Sequence, residues 1–164
     1  QNHTVNLFDF GCMRIFKGKF IQGVIDLYYA LQNNDNEKAV HAYTQWGFTD
    51  ITKNKLAVLN KWAGFIYSPL MEDKVQKIQE SDSGIYGAKV AAEVHKELKK
   101  LGGVKPPKEF VFMDRAAVGI GSVFMHLKAE VNWYKIFNSL IENFETRKMN
   151  TRQQNILKLV DLSI

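Results

Sequence analysis

After Gly11 the apolar residues of this chain recur three and four apart almost to the C-terminus, and that spacing commits the chain to helices. Phe20, Val24, Leu27, Tyr28 and Leu31 make one stripe on a helix over residues 19–31. Asn33-Asn34-Asp35-Asn36 breaks it, and Asp35 has the side chain to cap the next helix. That second helix buries Ala39, Ala42, Tyr43 and Trp46 and stops at Gly47. A third starts near Thr52, uses Leu56, Leu59, Ala63 and Ile66, and ends before Pro69. Ser81-Asp82-Ser83-Gly84 is a turn and cap leading into Val90, Val94, Leu98 and Leu101. Lys96, Lys99 and Lys100 favour the negative end of that helix dipole, and Gly102-Gly103 terminates it. Pro106-Pro107 marks a fresh start, and the nearly all-apolar run 109–127 reads as a buried helix. Helices over 132–144 and 150–162 complete the chain. The expected fold is mainly α: six or seven helices in a single helical domain over residues 1–164, with a short strand fragment at the front.

That fragment, Thr4-Val5-Asn6-Leu7-Phe8, alternates roughly as a strand does. A lone strand leaves its backbone groups unpaired, so either its partner strands belong to an upstream region or the segment is irregular here. The sequence opens on Gln1 rather than Met, which reads as an excised or processed piece.

Composition sets outer limits on function. With 164 residues, 46% hydrophobic and 24% charged, the chain is long enough to bury a core and is not of disordered type. Most of its eleven Phe, six Tyr and three Trp are expected in that core. A net charge of +5 allows contact with acidic lipid, nucleotide or nucleic acid without choosing among them. Cys12 is the single cysteine, so no intrachain disulfide forms, and a reducing, cytoplasmic location is expected. Neither a membrane-spanning run nor a signal peptide is present in the sequence, and the sequon Asn2-His3-Thr4 would matter only in a secreted protein.

One triplet carries chemistry. Asp9-Phe10-Gly11 follows the apolar Leu7-Phe8, so its carboxylate stands at a strand end. There it could hold Mg²⁺ against nucleotide phosphates, because Mg²⁺ prefers oxygen ligands; the Phe packs inward and the Gly permits a sharp exit. The simpler reading is that Asp9 caps a turn.

From Asn6 to about Phe137 the chain resembles the C-terminal portion of the UbiB/AarF family of atypical, protein-kinase-like ATPases. The resemblance rests on Leu7-Phe8-Asp9-Phe10-Gly11-Cys12, on a helix ending Tyr29-Ala30-Leu31 before Asp35, and on Trp46-Gly47-Phe48. It continues through 109–119, with Phe110, Asp114, Arg115 and Gly119, to Leu127 and Asn132-Trp133. The resemblance implies the helical C-lobe of a kinase-like fold, with Mg²⁺ and ATP bound between two lobes. It assigns Asp9 as metal ligand and Phe10 and Gly11 as its nucleotide-side scaffold. It also implies a link to ubiquinone or isoprenoid-lipid metabolism, cytoplasmic and peripheral at the inner membrane. The family's Lys-x-Gly-Gln segment, Ala-rich nucleotide loop, strand lysine and Asp-Pro-His-Pro-Gly-Asn catalytic loop should all precede Asp9. Only eight residues precede it here. No catalytic residue is therefore assigned, and Mg-ATP binding is expected only of a longer polypeptide.

Other residues support weaker readings. His3, His41, His95 and His126 show no metal-ligand spacing, and Glu93, His95 and Glu97 do not share one helix face. Cys12 is a packing residue rather than a nucleophile, since a neighbouring carboxylate raises a thiol pKa. Asp114 and Arg115 read as a partly buried ion pair holding helices together. The tail 147–164, with Arg147, Lys148, Arg152 and Lys158 among Ile156, Leu157, Val160 and Leu162, either packs on its own domain or lies on an anionic membrane or a partner. Basic residues are scattered, which argues against nucleic acid. The alternative to the nucleotide reading is a non-catalytic helical module that binds a partner or a membrane surface. An exposed apolar face where a missing lobe would sit could also drive a homodimer.

Overall fold

Caps and breaks read from the sequence set most helix boundaries in the computed structural model, which describes residues 6, 14–79 and 85–161. The described residues form α1 (Gly18–Gln32), α2 (Asn36–Gln45), α3 (Lys53–Tyr67), α4 (Ile85–Lys100), α5 (Lys108–His126), α6 (Trp133–Ile141) and α7 (Thr146–Leu159). Asp35 accepts from the Lys38 N–H at 2.9 Å, Thr52 from Lys55 at 3.3 Å, and Asn132 from Lys135 at 2.9 Å. Between α1 and α2, Asn34 turns the chain in the left-handed region at φ 54°, where a short polar side chain is tolerated. Gly47 at φ 95° ends α2 and its Trp46 cap. Gly102 and Gly103, both at positive φ, close α4, and the Gly103 N–H returns to the Leu98 carbonyl at 2.8 Å. Pro69 sits in a 3₁₀ turn, Ser68–Leu70, that stops α3.

The helices α1 and α2 make the most intimate pair. Gly23 lies against the Trp46 indole, so close that a Cβ there would stand 2.6 Å from Nε1. The same indole N–H donates to the Phe20 carbonyl at 2.9 Å, which satisfies the one polar atom of a buried ring. Around this joint Leu27, Tyr28, Ala30, Ala39, Ala42, Tyr43, Phe48, Leu56, Leu59, Ala63 and Tyr67 form one core. Tyrosine hydroxyls tie it to its edges. Tyr67 donates to the Val24 carbonyl at 3.0 Å, and Tyr28 donates to the Leu70 carbonyl at 3.2 Å while accepting from Asn138 of α6 at 3.0 Å.

Four expectations need correction. The run 109–127 is helical as α5, but no α5 residue is buried. Its apolar residues surround the helix, whereas the core touches only one side: Phe110 packs on Trp46 and Phe48, and Phe124 on Trp133. The last helix begins at Thr146, not Asn150, because Asn150 caps a different helix. Its Oδ1 accepts from the Gly18 N–H at 3.1 Å, supplying the first turn of α1 with the acceptor that Lys17 does not give. Asp114 and Arg115 form no ion pair; Asp114 instead accepts from the Trp62 indole N–H at 3.2 Å. Finally, the region after Gly11 is not wholly helical. Gln76–Lys77 (β1) pairs antiparallel with Glu130–Val131 (β2), Gln76 opposite Val131, and two-residue strands carry no readable alternation. The expected strand at Thr4–Phe8 lies outside the described residues apart from Asn6.

Candidate functional site

The inner side of α5 leans on α2 and α3 and leaves a narrow cleft of about 40 Å³ between them. Tyr43, Trp46, Trp62, Tyr67, Phe110 and Met113 are among its lining residues, and Asp114 is its single acid. The helical repeat puts Phe110, Met113, Asp114 and Ala117 on one face of α5, which is why a carboxyl reaches this apolar lining. Burial pushes the Asp114 carboxyl above its ordinary pKa, and the hydrogen bond from Trp62 offsets part of that rise.

The two tyrosines of the cleft are neutral hydrogen-bonding groups. Burial raises both phenols, with a small further push on Tyr43 from Tyr67. Their hydroxyls are already engaged, Tyr43 with Asn60 Oδ1 at 3.2 Å and Tyr67 with the Val24 carbonyl. A cleft of this size holds a water or two rather than a substrate. The hydrogen bond from Trp62 to Asp114 ties α5 to α3 across this apolar lining.

Asp9, Phe10 and Gly11, which the sequence singles out for Mg²⁺ and nucleotide, lie outside the described residues, as does Cys12. Where the described chain resumes, Arg14 Nη2 meets Glu109 Oε1 at 3.0 Å and its guanidinium lies 5.0 Å from the centre of the Phe112 ring. The Glu109 carboxyl is held below its usual range, first by its own backbone N–H at the start of α5 and then by Arg14. The pair is exposed on both sides, so it orients the chain more than it stabilises it.

On α7, the basic residues Arg147, Lys148 and Arg152 line an open, shallow surface with Glu145 and Ile156. The inner side of α7 buries Leu157 and meets α1 through Asn150, and Gln153 Nε2 donates to the carbonyl of Phe16, just ahead of α1, at 2.7 Å. Packing on its own domain, one of the two readings of the tail, therefore describes this helix. Among the described residues no three His, Cys, Asp or Glu side chains gather as a metal site, and no helix is long and apolar enough to cross a membrane.

The grouping of Trp62 with Asp114 was missed in the sequence, because 52 positions separate them and no periodicity links one helix to another. The outward side of α5 was missed as a surface because its residues are the kind a core uses. Val111, Phe112, Val118, Ile120, Val123 and Leu127 range from 40% to 70% exposed. Compared with family models, with curated proteins and with solved structures, the chain gave no match.

Proposed function

We propose that this chain is the helical C-terminal lobe of a UbiB/AarF-type, ATP-dependent kinase-like protein that binds Mg-nucleotide as part of a longer polypeptide. The observation that carries the reading is the triplet Asp9-Phe10-Gly11 placed ahead of a mainly helical chain. In this reading Asp9 contributes a carboxylate to Mg²⁺, and Phe10 and Gly11 hold its backbone. The helices behind it form a rigid base, anchored through the Tyr28–Tyr67 core. Phosphate clamping and a positioned nucleophile would come from outside these 164 residues.

The test is Mg-ATP binding by the longer polypeptide, measured calorimetrically, with and without Asp9→Asn. A carboxylate on Mg²⁺ supplies a charge-assisted contact, so affinity should drop roughly tenfold or more. Equal affinity in the two proteins removes Asp9 from the site.

A second reading, a helical module that binds a partner or a membrane surface, is favoured by one observation: the outer side of α5 is apolar and bare.

A further inference from the structure

The helix α5 is held on the domain along one face. Phe110, Met113, Asp114 and Ala117, spaced i, i+3, i+4 and i+7, turn toward α1, α2 and α3, and no residue of the helix is buried. This is the spacing with which an amphipathic helix lies in a groove, and here the chain supplies its own helix. The groove has ties of its own that do not pass through α5. Trp46 is fixed by Gly23 and by its bond to the Phe20 carbonyl, and Tyr67 by its bond to the Val24 carbonyl. Gly102-Gly103, both at positive φ, and the left-handed Lys128 mark the joints between which α5 sits. At the centre of the contact stands a half-buried carboxyl. Asp114 takes its hydrogen bond from the neutral Trp62 indole, and none of the described lining residues is a cation.

We propose that α5 is a proton-controlled lid over this groove, docked while Asp114 is protonated and lifted from it when the carboxyl ionises. An ionised carboxylate pressed into an apolar lining without a cation is costly, and lifting α5 returns it to water. The groups around Asp114 leave that cost uncompensated. On α3, Trp62 offers one neutral donor, and Lys61 beside it is engaged by Glu93 and Glu97 of α4 at 3.4 and 3.1 Å. Tyr43 of α2 and Tyr67 of α3 are phenols that burial keeps protonated, and α1 lines the cleft with Leu27. On α5 itself Arg115 is exposed on another side of the helix. Burial holds the Asp114 carboxyl above its ordinary range, so the docked helix keeps the proton more tightly than a lifted one. Docking is therefore complete below the ordinary carboxylate pKa and weakens as pH rises through the raised one. Glu109 works in the opposite sense: its carboxyl is held low beside Arg14, so that contact is lost as pH falls. Lifting α5 uncovers Tyr43, Trp46, Trp62 and Tyr67. The lid is independent of the nucleotide reading, since it is built from α1, α2, α3 and α5 alone.

The test is amide hydrogen exchange of the 164-residue chain from about pH 4 to about pH 8, a span that covers an ordinary and a raised carboxylate, with each rate corrected for the intrinsic effect of pH. A helix lifted off its groove frays, so protection of the α5 amides should fall about tenfold across this range, while α1 and α2 amides keep theirs. A dye that binds exposed apolar surface should report the same midpoint. Asp114→Asn keeps an acceptor for Trp62 and should hold α5 at its acid-side protection throughout. Glu109→Gln should leave the step in place. Trp62→Phe takes the hydrogen bond away from the carboxylate and should enlarge the step, which keeps the lid testable if Asp114→Asn does not fold. Equal α5 protection at the two ends of the range overturns the proposal, as does a step that survives Asp114→Asn. Loss of protection in α1 and α2 together with α5 also overturns it, because the whole domain would then be opening instead of a lid.

Discussion

Replacing Gly23 with Ala should destabilise the protein even though alanine is the better helix former. Gly23 lies inside α1, where the exchange alone would gain about 1 kcal/mol. A Cβ at this position, however, would stand 2.6 Å from Trp46 Nε1, 3.0 Å from Cδ1 and 3.2 Å from Cε2. The indole cannot easily withdraw. It is buried, and the rings of Phe20, Tyr43 and Phe110 stand 5.4–5.8 Å from it, centre to centre. Overpacking of this kind costs about 1–3 kcal/mol. Any retreat also stretches the bond from Nε1 to the Phe20 carbonyl, and a buried indole N–H left without its acceptor costs about 1–3 kcal/mol more. The net expectation is a loss of about 2–4 kcal/mol. Gly64 supplies the control. It too is helical, in α3, but nothing lies within 4 Å of its would-be Cβ, so Gly64→Ala should gain about 0.5–1 kcal/mol. Urea unfolding of the two variants beside the parent reads both signs directly. Should Gly23→Ala prove as stable as the parent, or shift in step with Gly64→Ala, then α1 and α2 do not meet through this indole.

Three further outcomes are expected. Asn150→Ala removes the acceptor for the first turn of α1 and should cost about 1 kcal/mol in urea unfolding, as cap deletions do. Asp114→Asn keeps an acceptor for Trp62 while removing the ionisable group. The native state raises the Asp114 pKa, so it binds this proton more tightly than the unfolded chain. The parent therefore loses stability as pH rises from the ordinary carboxylate pKa through the raised one, and Asp114→Asn should flatten that slope and be at least as stable at neutral pH. A parent that instead gains stability across that window would contradict the burial assigned to this carboxyl. Leu27→Ala, at a side chain only 1% exposed, should cost about 2–5 kcal/mol, whereas Val118→Ala on the outward side of α5 should change stability by less than about 0.5 kcal/mol. Comparable losses at the two positions would mean that α5 is covered in the free protein.

The first half of the fold was largely legible because its signals are local. Asp35 and Thr52 are caps whose acceptors and donors lie three residues apart, and the 3.6 spacing of Phe20, Leu27 and Tyr28 picks out the side that becomes core. The second half was less legible because its organising contacts are long-range. Asn150 looks like the start of a helix, since it is a good N-cap residue, and it does cap a helix, but one that begins at Gly18, 132 positions away. Asp114 and Arg115 look like a pair because they are adjacent, yet residues i and i+1 point to different sides of a helix, and the inward one meets Trp62. The candidate site divides the same way. The triplet at Asp9 is legible as chemistry but lies outside the described residues, while the Asp114 cleft, lined from α1, α2, α3 and α5, required the docking of four helices to exist at all.

An apolar pattern around a whole helix states how much apolar contact the helix can make, not which neighbour makes it. For α5 the inner contacts are accounted for by Phe110, Met113, Ala117 and Phe124. The outer ones remain, and they are not randomly composed. A helix meant for the core of its own domain has no use for Lys108 and Arg115 along its far side, because burying cations without partners is costly. A helix whose outer side was ordinary solvent surface would not carry Phe112, Ile120, Val123 and Leu127 beside those cations. The two observations together leave an outer side of α5 that is apolar and basic at once. Of the two α5 acids, Asp114 is turned inward to Trp62, whereas Glu109 lies at the N-terminal end of the apolar stripe and is opposed there by Arg14.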